Sequence, residues 1–148
     1  MYRKYALVTG FSVGLGLGGS AFADDVPDQV RAIPGNVEDV SIGGNWQDGD
    51  RSGAYRIVVT RDGIDQIKAR LFVQWIAYGD MGQATVADSI EIKELGELGV
   101  DIVNLSSETD EQGISVFVDT MNGGGEVGET YEAHVFSPND YMFGPASN

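Results

Sequence analysis

Apolar side chains recur at every second position in several separate stretches of this chain. An extended strand is the regular element in which alternate side chains share a face. The pattern runs through residues 54–60 (AYRIVVT), 67–78 (IKARLFVQWIAY), 89–95 (SIEIKEL), 100–105 (VDIVNL), 114–121 (ISVFVDTM) and 131–136 (YEAHVF), with clusters of Gly, Asp and Asn between them. A shorter strand at residues 40–42 brings the expectation to about seven. Around residues 88–96 the apolar positions 90, 92, 95 and 98 fit neither the strand nor the helix period, and the segment is read as strand.

Strands at this regular spacing predict an all-β fold: a single antiparallel β-sandwich, immunoglobulin-like or jelly-roll-like, with a small up-and-down barrel as the alternative. The chain of 148 residues has room for one such domain. Its start reads as an address. A basic MYRKY, a Gly-softened apolar run and Ala21-Phe22-Ala23 before Asp24-Asp25 form the three parts of a secretory signal peptide, residues 1–23. The apolar run is too short and too rich in glycine to span a bilayer. Cleavage after Ala23 leaves 125 residues with 7 Lys+Arg against 23 Asp+Glu, a formal charge of -16, and no integral membrane segment. Residues 24–44, broken by Pro27 and Pro34, read as an acidic arm, and residues 45–148 as the all-β domain. The expected destination is the periplasm or the outside of the cell.

Charge and cysteine count remove several functions. An excess of acid argues against nucleic acid, whose binding rests on phosphate neutralisation by Lys and Arg. The absence of cysteine excludes disulfide scaffolds and thiolate metal sites. His134 is the only histidine, so cages of several histidines are excluded; with Tyr131, Ala133 and Val135 facing inward, it points outward beside Glu132 and Phe136. The glycines at 123–125 lack the Lys-Ser/Thr of a phosphate loop, and residues 122–130 read as a broad, mobile recognition loop. Tyr141, Met142 and Phe143 are expected to fold back on the core.

The turn near Gly63 constrains one hairpin. A register that keeps Tyr55, Ile57 and Val59 on the same face as Ile67, Ala69, Leu71, Val73 and Trp75 pairs Val59 with Ile67, Ile57 with Ala69 and Tyr55 with Leu71. Arg56 then lies opposite Arg70, and Val58 opposite Lys68. Like charges so placed are unfavourable, and a neighbouring Glu91 or Glu132 is expected to match them. The outer face therefore carries Arg56, Lys68, Arg70, Phe72, Ile76 and Tyr78. Arginine among aromatics is a composition enriched in binding hot spots.

Two short motifs resemble known sites. Asp48, Asp50 and Ser52 place oxygen donors at the first, third and fifth positions, with Gly53 sixth, which is similar to the first half of an EF-hand calcium loop. Val59 stands where that loop has its closing glutamate. Gly44-Asn45-Trp46 resembles the Gly-x-Trp that opens the first strand of lipocalin and avidin-type barrels. That resemblance implies a barrel around a small apolar ligand, with Trp46 and Trp75 in its wall. With no thiol, no phosphate loop and no cofactor motif, the residues point to a binding domain and not to an enzyme, with a protein or a small anion as partner through the strand face and calcium as the one cofactor to consider.

Overall fold

The structure is a computed structural model, and it describes residues 25–147. The expected signal peptide, residues 1–23, lies outside the described residues. Chain contacts divide the protein after Ala32. In the first unit a short helix, α1 (Val26–Arg31), has Pro27 in its first turn, where its fixed φ is suited, and Arg31 pairs with Asp28 at 2.6 Å. This helix lies within the stretch expected to be an irregular arm.

The second unit is all-β, as the alternation predicts. It has eight strands, β1 (Val37–Asp48), β2 (Arg51–Asp62), β3 (Lys68–Tyr78), β4 (Ala84–Glu91), β5 (Asp101–Thr109), β6 (Ile114–Met121), β7 (Val127–Ser137) and β8 (Asp140–Pro145), with a helix, α2 (Lys93–Leu98), after β4. They form two antiparallel four-stranded sheets, β1-β2-β3-β4 and β5-β6-β7-β8. The expected short strand at residues 40–42 is the middle of the much longer β1, so the proposed arm boundary at residue 44 falls inside a strand. The extra strand β8 is the C-terminal tail, where Phe143 stacks on Tyr131 at 5.3 Å between centroids.

The barrel alternative is not met. Closure would pair every strand on both edges, whereas β1, β4, β5 and β8 are sheet edges and no ladder joins the two sheets. Both sheets are also meanders of consecutive strands, without the crossing connection of a Greek key that immunoglobulin and jelly-roll topologies use. What links the sheets is a shared apolar cluster. Ile57, Leu71 and Val73 of the first sheet and Ile114, Val116 and Val135 of the second belong to it, all fully buried. Ser107 Oγ also donates to the Gly43 carbonyl at 3.3 Å, and Arg61 pairs with Asp101.

The β2–β3 hairpin shows what alternation predicts and what it misses. The inward set is as expected: Tyr55, Ile57, Val59, Ala69, Leu71, Val73 and Trp75 are buried. The register differs by four residues, since the loop takes in residues 63–67: Val59 pairs with Leu71, Ile57 with Val73 and Tyr55 with Trp75. A shift by an even number keeps the faces and changes the partners. Ile67 therefore leaves the strand and is exposed. Around residue 92 the ambiguous period reflects a real boundary. β4 ends at Glu91, Ile92 at the N-cap and Leu95 within α2 are both buried, and the helix ends on Gly99 at φ +65°, a conformation glycine adopts without strain.

Candidate functional site

Two features could bind something: the outer face of the first sheet and a cleft at one end of the domain. The outer face is built from rows of cross-strand neighbours. One row runs Val40, Val58, Phe72, Glu91; the next runs Ile42, Arg56, Gln74, Ser89. Arg56 donates Nε–H to Gln74 Oε1 at 2.7 Å, and Gln74 donates Nε2–H to Ser89 Oγ at 3.2 Å, so a polar chain crosses the sheet. Ile42 is 64% exposed, and Val40, Val86 and Tyr78 are each about half exposed.

Each residue expected on this face can now be located. Arg56 does not oppose Arg70; it faces Gln74, and Arg70 faces Thr60. Val58 faces Phe72, and Lys68 faces Asp62. Glu91, expected as a compensating acid, takes both Arg70 Nε (2.7 Å) and Nη2 (2.8 Å) in a forked bond, and the guanidinium carbon lies 5.3 Å from the Phe72 ring centroid. Ile76 is 6% exposed and so cannot touch a partner, a departure from the expectation. Its ladder with β2 is unbroken and its partner there, Ala54, is buried too, so alternation holds but this end of the face is covered; the bulge where β3 meets β4 puts its extra residue, Ala87, on β4.

Arg70 holds the Glu91 carboxyl below the ordinary glutamate range, chiefly through that hydrogen bond. A folded-state pKa lowered in this way gives stability that is present above the unfolded value and is lost as pH falls through the folded one. Because the Arg70 side chain is 47% exposed, solvent keeps the pair within about 1 kcal/mol. The expected result is that Glu91→Gln lowers the urea midpoint slightly near about pH 7, and that the difference shrinks as pH falls and the native carboxylate takes up its proton. A difference that persisted in acid would show that the side chain acts through packing.

The end cleft was not expected. It measures about 620 Å³, within the range of small-molecule sites. Trp46 and Tyr55 form its floor, Tyr78 and Phe136 its aromatic sides, and the turn between β5 and β6 its lip. Trp46 is held by its indole N–H, which donates to the Ile76 carbonyl at 3.2 Å. Tyr55 meets Trp75 edge-on at 5.6 Å. Burial pushes the Tyr55 phenol up, the Trp75 N–H bond partly offsets this, and the charge of Asp110 adds to it. Asp110 Oδ1 accepts the backbone N–H groups of Gln112 (2.7 Å) and Gly113 (3.0 Å), which fixes the lip. A second cleft of about 380 Å³ shares Trp46, Gln47, Tyr55 and Phe136 with the first and adds Trp75. Trp46 and Trp75 thus both line this second cleft.

The remaining expected sites take simple forms. Asp48–Gly53 makes a two-residue hairpin turn on Gly49 (φ +58°) and Asp50, with Asp48 paired to Arg51 at 2.7 Å. The oxygen donors sit at the end of β1 (Asp48), in the turn (Asp50) and in β2 (Ser52), and do not circle a loop as in an EF-hand. Residues 122–126 form a short turn tied by Asn122, whose side-chain oxygen accepts from Gly124 and Glu126, and β7 begins at Val127, so the broad loop expected over 122–130 is not present.

His134 is half-buried, with its ring 4.4 Å from Phe136 between centroids. Its Nδ1 lies 2.8 Å from Ser115 Oγ, and Ser115 donates to Glu132 Oε1 at 2.9 Å. Since the hydroxyl has one proton and gives it to Glu132, Nδ1–H must donate to the hydroxyl. The order is carboxylate, hydroxyl, imidazole. In a hydrolytic triad the imidazole stands in the middle, oriented by the carboxylate and activating the hydroxyl, so Ser115 is not set up as a nucleophile.

Comparison with protein-family models, with curated proteins and with solved structures found no match for this chain. The chemistry of these surfaces is therefore what the functional reading rests on.

Proposed function

We propose that this is an exported binding domain, acting without catalysis, that docks a protein partner on the outer face of its first sheet. On this reading the two sheets form a sandwich, and residues 1–23 are removed during export. The observation that carries it is the concentration of exposed Val40, Ile42, Tyr78 and Val86 on one sheet face, around half-buried Val58 and Phe72. Clustered apolar surface of this kind marks interaction sites.

A protein is favoured over a small anion because Arg70 is already forked onto Glu91 and Arg56 is already engaged by Gln74. Lys68, Arg70 and Lys93 share a shallow depression with Asp62, Glu91 and Glu97. That depression is thus locally neutral on a chain of formal charge -14, and an apolar partner surface can approach it without gathering further charge.

The test uses the secreted protein, first shown by mass to begin at Asp24, as bait against the fraction in which it is found. Ile42→Asp and Phe72→Asp are each expected to weaken capture of the same partner at least about tenfold, with unchanged circular dichroism. Capture that survives both replacements would remove the sheet face from the proposal.

A further inference from the structure

The end cleft lies apart from most of the sheet face and has a different chemistry. We infer that it binds a neutral oligosaccharide. Its polar lining is mixed. Asn45, Gln47 and Gln112 bring side-chain amides, each able to donate and accept, and Ser52, Asp110 and Glu111 bring a hydroxyl and two carboxylates. The side chains of Asn45, Ser52, Glu111 and Gln112 have no hydrogen-bond partner among the described residues.

This lining discriminates among ligands. Among the described residues no Lys or Arg lines the larger cleft and two acids do, and Arg51 in the second cleft is already paired with Asp48, so an anion would meet repulsion. An apolar molecule would strip water from the amides and carboxylates without replacing its hydrogen bonds. A simple cation would suit the acids but leave the amide N–H groups facing a like charge. A sugar ring has hydroxyls that both donate and accept, and a C–H face that packs on aromatic rings. The cleft supplies counterparts to both, with Tyr78 and Phe136 as its more accessible aromatics.

The length of the ligand follows from the shape. The two clefts, about 620 and 380 Å³, share Trp46, Gln47, Tyr55 and Phe136 in their linings, so binding surface lies on both sides of the same aromatic residues. That arrangement fits a chain of sugar rings better than a single ring. The tie between Asp110 and the backbone of Gln112 and Gly113 pre-forms the lip, which spares the ordering cost that a loose loop would add on binding.

The experiment is a titration of the full secreted chain with neutral hexasaccharides of glucose, xylose, mannose and N-acetylglucosamine, followed by tryptophan emission and calorimetry. Tetramethylammonium serves as the cation probe. Saturable binding of at least one hexasaccharide is expected, with a change in emission because Trp46 lies in the floor. The double variant Asn45→Ala/Gln112→Ala, at two exposed positions, should weaken it by about tenfold or more, the loss expected when hydrogen bonds to a ligand are removed. Ile42→Asp and Phe72→Asp should leave it unchanged, so this result and that of the sheet face stand or fall separately. The inference is overturned if no hexasaccharide binds at about 5 mM. It is overturned equally if tetramethylammonium binds more tightly with the same sensitivity to the double variant, or if sugar binding survives that variant.

Discussion

Gly53→Ala costs this protein about 4 kcal/mol or more, or leaves it unfolded, a loss reserved for a few mechanisms of which steric overlap in a packed interior is one. Gly53 is buried in β2, where a Cβ would overlap the Ile76 carbonyl oxygen and come within 2.8 Å of its carbon. Both atoms are backbone, so no side chain can swing aside, and β2 and β3 must separate to make room. The same oxygen accepts the Trp46 indole N–H, so moving it also loosens β1. Gly144→Ala is the control. Nothing lies within 4 Å of its Cβ position, and the change should stay within about 0.5 kcal/mol. Urea unfolding of the two variants reads the difference directly, and a wild-type midpoint for Gly53→Ala would mean that the strands are not packed this closely.

Trp46→Ala should cost about 3–5 kcal/mol, the usual range for removing a large buried aromatic. Trp46 is 8% exposed and belongs to the shared core, so truncation leaves a void between strands that cannot close fully. Trp46→Phe separates the two contributions. It keeps much of the ring volume but leaves the buried Ile76 carbonyl without its indole donor, a penalty of about 1–3 kcal/mol. The order wild type, Phe, Ala is therefore expected in urea midpoints at constant slope. If Ala and Phe were equal, the residue would matter for its hydrogen bond alone. Trp46 also forms the floor of the cleft, so the Phe variant, while still folded, should change the emission response to a bound sugar.

Much of this fold can be read from the chain by itself. The inward positions of β2 and β3 follow from period two, because a strand turns alternate side chains to opposite sides whatever it pairs with. For the same reason His134 could be assigned to the outer side of β7; of the two acids expected to match the arginines, Glu91 meets Arg70 and Glu132 accepts from Ser115 instead. Register could not be read in this way. It depends on how many residues the loop after Asp62 consumes, and every even shift leaves the apolar pattern unchanged. Ile76 was misplaced because period two says which side a residue takes and not whether that side is covered, and Ile76 and its partner Ala54 are both buried.

The cleft belongs wholly to the other category. Its floor comes from β1 and β2, its lip from the turn at residues 110–113, and its side from Phe136 at the far end of β7. Residues so distant in sequence share no spacing or motif, and Asn45, Gln112 and Glu111 look like ordinary polar positions until the sheets bring them around one hollow. The sequence determined the strands, the dry face and the acidity, since alternation and charge are local properties of a chain. Tertiary structure alone decided which strands pair, that two meanders remain open at their edges, and where a pocket forms, since these depend on contacts between residues that sequence order does not relate.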